Sequence, residues 1–254
     1  MIWASVHDTK AGCSSYLVGD ELTGQALVVD PLRSKTAAHY ILMAQDLGLS
    51  IAYVVDTHTH ADHESAAREL SDGAGATLGL SHKAPVNFPH VPLKEGDRFH
   101  LGSVEVEVWE TPGHTPDSLC LVLRDLDRGG EPWLVMTGDV LFVGDVGRPD
   151  LGESSEDSVM EAARAQFKSL ERLMELPDHV EVYPAHFGAS HCGGLYMSRK
   201  HCSTIGYERR YNTLLQSRDP DRFVAEQLKF LKPPPADARR VRAVNLGSPA
   251  GMGQ

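Results

Sequence analysis

The stretch Thr57-His58-Thr59-His60-Ala61-Asp62-His63 sets three imidazoles and a carboxylate side by side. Imidazole and carboxylate together suit zinc, iron or manganese, so the first expectation is a metal site. His58 and His60 alternate at the end of an apolar, β-branched run (Ile51–Val55), where both rings can turn into one space. Asp62 has the type and place of an N-cap for a helix over Glu64–Leu70. Three later residues repeat the arrangement of an apolar run, a turn and a presented donor. They are His114 after Thr111-Pro112-Gly113, Asp139 after Thr137-Gly138, and His186 after Tyr183-Pro184-Ala185. Each has an ordinary use alone, as a cap, a turn residue or a buried histidine. All of them at strand ends predict that they converge at the mouth of a sheet.

The elements that must carry these residues are legible in the pattern. Ser15–Asp20 and Gln25–Asp30 read as an opening hairpin. Ser34 reads as the cap of a helix whose apolar stripe is Ala37, Tyr40, Ile41, Ala44 and Leu47, stopped by Gly48. Ala76–Leu80 reads as a short buried strand, and Pro85, Pro89 and Pro92 mark a loop holding His82 and His90. Val104–Trp109 alternates strictly, predicting one buried face and one wet acidic face. Leu119–Leu123, Trp133–Met136 and Val180–Tyr183 are further strands. A long amphipathic helix should start near Ser154/Ser155 and end at Pro177, with Met160, Ala163, Phe167, Leu170 and Met174 inward. Sheet and helix segments in alternation predict a layered α/β sandwich.

Composition narrows the function classes. The chain has 254 residues, 41% hydrophobic and 23% charged, enough for a sizeable core. A net charge of −11 disfavours nucleic acid and anionic membrane surfaces as partners. The four cysteines (Cys13, Cys120, Cys192, Cys202) are scattered, which points to reduced thiols rather than a disulfide framework. The N-terminal residues lack a basic segment followed by an apolar one, and no apolar run approaches the roughly 20 residues of a membrane span. The expectation is a cytoplasmic protein.

In the order of its donors the chain resembles the metallo-β-lactamase superfamily. That resemblance implies a four-layer αββα sandwich with a C-terminal helical extension and the metal at one edge of the sheets. Within the superfamily, Thr111–Ser118, Thr137–Phe142, Gly147–Leu151, Tyr183–His186 and Ser203–Arg210 resemble the persulfide dioxygenases. The branch they are most similar to is often fused to a rhodanese. The expectation here is a catalytic domain over 1–232, a Pro/Arg-containing tail over 233–254 without structure of its own, and no rhodanese. Any sulfur transfer would then fall to a separate sulfurtransferase.

What the resemblance implies for the site is one Fe(II) held by His58, His114 and Asp139, with His60, Asp62, His63 and His186 as surrounding groups. The same residues used fully would form a two-metal site, two zinc ions or a mixed pair, as in glyoxalase II-type thioester hydrolases. A non-catalytic sulfur- or metal-handling protein is a further alternative. For substrate the resemblance implies O2 and a thiol persulfide, with Arg148, Arg209 and Arg210 near the thiol carrier. Glutathione-using relatives carry Asp-Tyr after Pro-Ala-His; here Phe187-Gly188 follows, which leaves the carrier open between glutathione and another thiol. Cys192 is a candidate sulfur relay against an inert buried thiol, and Cys13, Cys120 and Cys202 read as packing residues. A homo-oligomer is compatible with the sequence.

Overall fold

The computed structural model describes residues 1–151, 155–188, 190–229, 231 and 233–248. Its first sheet runs in the order β1 (Ile2–Asp8), β2 (Cys13–Gly19), β3 (Gln25–Val29), β4 (Ser50–Val55), β5 (Thr77–Ser81), β6 (Val91–Leu93). The second consists of β7 (Arg98–Leu101), β8 (Val104–Glu110), β9 (Leu119–Asp125), β10 (Leu134–Gly138), β11 (Glu181–Pro184) and β12 (Ser203–Thr204), again in chain order. Between the sheets Tyr16, Leu27, Val29 and Val55 meet Val106, Val108, Leu121 and Leu123, all nearly solvent-free. On the outer face of the first sheet α1 (Ala37–Asp46) and α2 (Ala67–Ala74) cover Leu17, Val28 and Val54. On the second, α3 (Glu156–Leu173), α4 (Ile205–Tyr211) and α5 (Pro220–Leu228) cover Cys120, Val122, Val135 and Val182. The result is the expected αββα stack, with one apolar layer at each of its three interfaces.

Several local expectations are corrected. The chain opens with three antiparallel strands rather than a hairpin, because β1 pairs with β2 along its whole length. The proline-marked loop contains β6 with Pro92 inside it, at the edge of the sheet where a missing N–H is tolerated. The acidic face of β8 is not open to water: Arg124 bonds Glu105 at 3.1 Å and Glu107 at 2.6 Å, and Glu105 is buried. Thr36, not Ser34, precedes α1, and no side chain caps it. Ser155 caps α3, whereas Ser154 lies outside the described residues. The segment expected to lack structure holds α6 (Ala238–Asn245), with Ala238 and Val241 buried. Residues 232 and 249–254 lie outside the description.

The sheets meet at one edge through backbone hydrogen bonds. Leu119 N–H donates to Thr57 O at 2.7 Å, and Ser14 N–H donates to Ala185 O at 2.7 Å. All the predicted donor loops leave the strands at this edge: one after β4, one after β8, one after β10 and one after β11.

Candidate metal centre

Strand ends bring His58, His114 and Asp139 together, all buried, with one donor atom from each within 4.8 Å of the others. Nε2 of His58 lies 3.6 Å and Nε2 of His114 3.3 Å from Asp139 Oδ2. Donors that each sit ~2.0–2.2 Å from one ion stand about 3 Å apart, so this spacing suits a shared cation. His58 Nε2 and Asp139 Oδ2 have no hydrogen-bond partner although both are buried. Such orphaned atoms are costly unless something absent from the protein itself satisfies them. The residues present therefore fit a metal.

Tautomers follow from the outer contacts. Arg148 O can only accept, so His114 Nδ1–H donates to it at 2.7 Å and leaves Nε2 with its lone pair. Thr57 Oγ1 donates to Asp30 and stands 3.0 Å from His58 Nδ1, so it accepts the proton there. Burial pushes both imidazoles toward the neutral form, His58 well below its ordinary range, with His60 adding to the effect. Against the cost of its burial, His186, His58 and His114 hold the Asp139 carboxyl far below the usual carboxylate range. Gly138 makes room: its φ is +50°, and a Cβ there would stand 2.6 Å from Thr57 Oγ1.

The remaining predicted donors separate into two groups. His60 is not one of the three: its Nε2 donates to Asp30 Oδ1 at 3.2 Å, in a cluster with Asp30 and Asp56, while its Nδ1 is buried without a partner. Asp30 also accepts from Thr57 N at 2.7 Å and is the non-glycine residue with positive φ, +50°, among those described. Asp62, His63 and His186 form a second cluster, joined by Cys13. His186 bridges the two groups, with Nδ1 2.6 Å from Asp139 Oδ1 and Nε2 2.8 Å from Asp62 Oδ2. Burial works against charge on His186, but Asp139 and Asp62 prevail and raise it well above its ordinary value. Burial likewise opposes charge on His63, which Asp62 raises to about 10.

Asp62 does not cap a helix. The helix begins later, at Ala67 after Ala66, and the carboxylate is drawn to His186 and His63 instead. Cys13, expected to be packing, stands with its Sγ 3.9 Å from Asp62 and 3.9 Å from His63. Despite burial, His186 and His63 bring its thiol down to about 7. Cys202 is exposed rather than packed. Cys192 is buried beside Asp139 and His186, and burial raises its thiol well above the ordinary value.

The three arginines differ in their surroundings. Arg148 is buried, and its guanidinium donates to both oxygens of Asp150 at 2.6 and 2.7 Å and to His191 O at 3.3 Å. Its direct contact with the triad is its backbone carbonyl. Arg209 closes the end of α3: it pairs with Asp178 and donates to Met174 O and to Leu176 O. That is a C-terminal capping role, favoured by the helix dipole. Arg210 is exposed on α4.

Sequence reasoning missed Asp30, Asp117 and Asn245. Asp30 ends an apolar strand as the predicted donors do, so its signal was present. Asp117 accepts from Thr59 N–H at 3.0 Å and from the Thr59 hydroxyl at 2.5 Å, holding the histidine loop to the β8–β9 turn. Asn245 has no local signal, since its contacts reach back across most of the chain.

Known proteins share this fold. The structure of ETHE1 from Myxococcus xanthus superposes with a TM-score of 0.80 at 30% identity, over 96% of this chain and 100% of that one. A metallo-β-lactamase from Staphylococcus aureus gives 0.88 at 29% identity, over 96% of this chain and 72% of that one. Among sequences, the mitochondrial persulfide dioxygenase ETHE1 of Bos taurus is 29% identical over 70% of this chain and 65% of its own length. A hydroxyacylglutathione hydrolase of a Polaromonas species is 35% identical over 68% of this chain and 61% of its own. A beta-lactamase hydrolase-like protein of Xylella fastidiosa is 28% identical over 86% of this chain, which spans 53% of that protein. The chain thus spans between about half and two thirds of these sequence relatives. The model of the metallo-beta-lactamase superfamily matches residues 8–186, and with β2 to β11 and the donor series inside that match the chain belongs to this superfamily.

Proposed function

We propose that the protein is an iron-dependent persulfide dioxygenase. The observation that carries this reading is the triad of His58, His114 and Asp139, with His60 committed to Asp30 rather than to the same point. Two histidines and one carboxylate on one side of an ion leave its other positions for substrate and O2, the pattern of non-haem Fe(II) oxygenases. The likeness to ETHE1 from Myxococcus xanthus over that whole chain supports the same reading.

The balanced reaction is RSSH + O2 + H2O → RSH + SO3²⁻ + 2H⁺. The sulfane sulfur is oxidised, dioxygen is reduced, and the S–S bond breaks to release the thiol. When bound, the iron would supply a coordination point for the terminal sulfur and the electrons for activating O2. His58, His114 and Asp139 would hold it, kept in the right tautomers and orientation by Thr57, Arg148 O and His186. His186 stands between Asp139 and Asp62, whose charges favour a proton on its ring beside the reacting space. Arg148 and Arg209 are paired within the chain, which leaves the exposed Arg210 as the arginine of the three open to the carrier's carboxylates. A low-molecular-weight thiol persulfide, glutathione persulfide or similar, is the substrate class.

A specific observation favours a second reading. Cys13, Asp62, His63 and His186 form another buried donor group beside the first. Filled by a second ion it would make a dinuclear thioester hydrolase, in keeping with the hydroxyacylglutathione hydrolase likeness. Metal analysis with an oxygen electrode separates the two. One iron per chain with persulfide-dependent O2 uptake and sulfite formation supports the dioxygenase. Two metals with thioester cleavage under anaerobic conditions overturns it.

A further inference from the structure

Asn245 is the last residue of α6, yet its side chain works 185 residues away, in the histidine loop. Nδ2 donates to His60 O at 2.9 Å and to His63 O at 2.9 Å, and Oδ1 accepts from Ser65 N–H at 3.0 Å. Both amide hydrogens and the amide oxygen are thus spent on one short piece of irregular backbone. Such backbone has no ladder of its own and must find partners elsewhere. Asp62 and His63 project from between the anchored points, and His58 lies just before them. The helix that delivers the amide is itself fastened: Val241 is buried, Arg240 Nη1 bonds Glu64 Oε1 at 2.9 Å, and Asn87 N–H donates to Leu246 O at 3.2 Å.

We propose that Asn245 is a positioning residue for the ligand loop, and that through it the C-terminal helix governs how firmly the site retains its metal. The inference rests on the metal-centre reading above. The side chain touches no ligand atom; it fixes the loop that runs on from His58, and with it Asp62, which meets His186, the residue that in turn orients the ligand Asp139. An amide suits the task because it offers two donors and an acceptor in one plane. Asparagine matches two carbonyls and one N–H, whereas aspartate of the same shape would set an anion against both carbonyls.

The test uses the full chain as wild type, Asn245→Ala, Asn245→Asp and Arg240→Ala, each loaded anaerobically with Fe(II) and separately with Co(II). The readouts are the rate of metal loss to a chelator, the visible spectrum of the Co(II) form, and Tm. Both Asn245 variants should release metal about 10–100-fold faster with an altered Co(II) spectrum, and Arg240→Ala should stay within about twofold of wild type with an unaltered one. A fall in Tm common to all three variants marks the docking of α6, which the metal readouts separate from the amide. If Asn245→Ala does not fold, Asn245→Asp, of the same size, supplies the comparison. Asn245 variants that keep metal and spectrum as wild type does overturn this inference alone. So does an Arg240→Ala variant that loses metal as fast as they do. A wild type that takes up neither ion overturns the metal-centre reading and this inference with it.

Discussion

The triad of His58, His114 and Asp139 and the neighbouring group of Cys13, Asp62, His63 and His186 are both buried, and both are rich in donors. They differ in how their charges are settled. In the triad, burial keeps the two imidazoles neutral, their Nδ1 protons go to Thr57 and to Arg148 O, and the inward atoms are left with lone pairs. In the neighbouring group, His186 and His63 are driven toward the charged form and paired with Asp62 and Asp139. Without an ion, one pocket presents lone pairs while the charges around the other favour protons on its histidines. The outer partners decide whether each ring presents a lone pair or a proton.

The largest test of this contrast removes the carboxylate of the triad. Asp139→Ala should lower iron content and sulfite formation together, each by at least about 100-fold, by metal analysis and sulfite assay. Iron retained at wild-type level would show that the triad is misassigned. Next, His58→Gln should cost about 10–100-fold in iron affinity while His60→Gln costs no more than about threefold. Equal losses in a chelator competition would place both rings on the metal, as a dinuclear site requires.

A smaller effect is expected from pH in the metal-free protein. The folded pKa of His63 is raised from 6.5 to about 10, so its pairing with Asp62 is fully present below pH 6.5. That contribution is lost as pH rises through about 10. The Tm of the metal-free protein should fall between these limits, and the fall should shrink in His63→Gln. Smallest of all, Cys192→Ser should leave turnover unchanged with every persulfide tried, because burial keeps that thiol protonated. A changed rate or product mixture would restore the relay.

The layers and the donor series were legible because each predicted donor follows an apolar strand, and a strand end is where a side chain is both rigid and accessible. His58, His114, Asp139 and His186 were found by that rule. Other features depend on which distant group arrives, and local pattern says nothing of this. Asp62 has the type and place of an N-cap, but a histidine from the loop after β11 outcompetes the helix for it. Cys13 lies in an apolar strand and acquires chemistry only when β2 is laid beside the His186 loop, to which its backbone is bridged. Arg209 looks like a ligand for an anion, yet its partners are the Asp178 carboxylate and the carbonyls just past α3. Asn245 was invisible for the same reason, since its partners lie at the other end of the chain.

The donors do not come from one sheet. His58 hangs from the first, while His114, Asp139 and His186 hang from the second, at the edge where Leu119 meets Thr57 and Ser14 meets Ala185. An ion seated there would rivet the two halves of the sandwich, since parting them at this edge would mean extracting it. Loading the protein should therefore slow its unraveling as well as equip it for chemistry, with the gain set by occupancy.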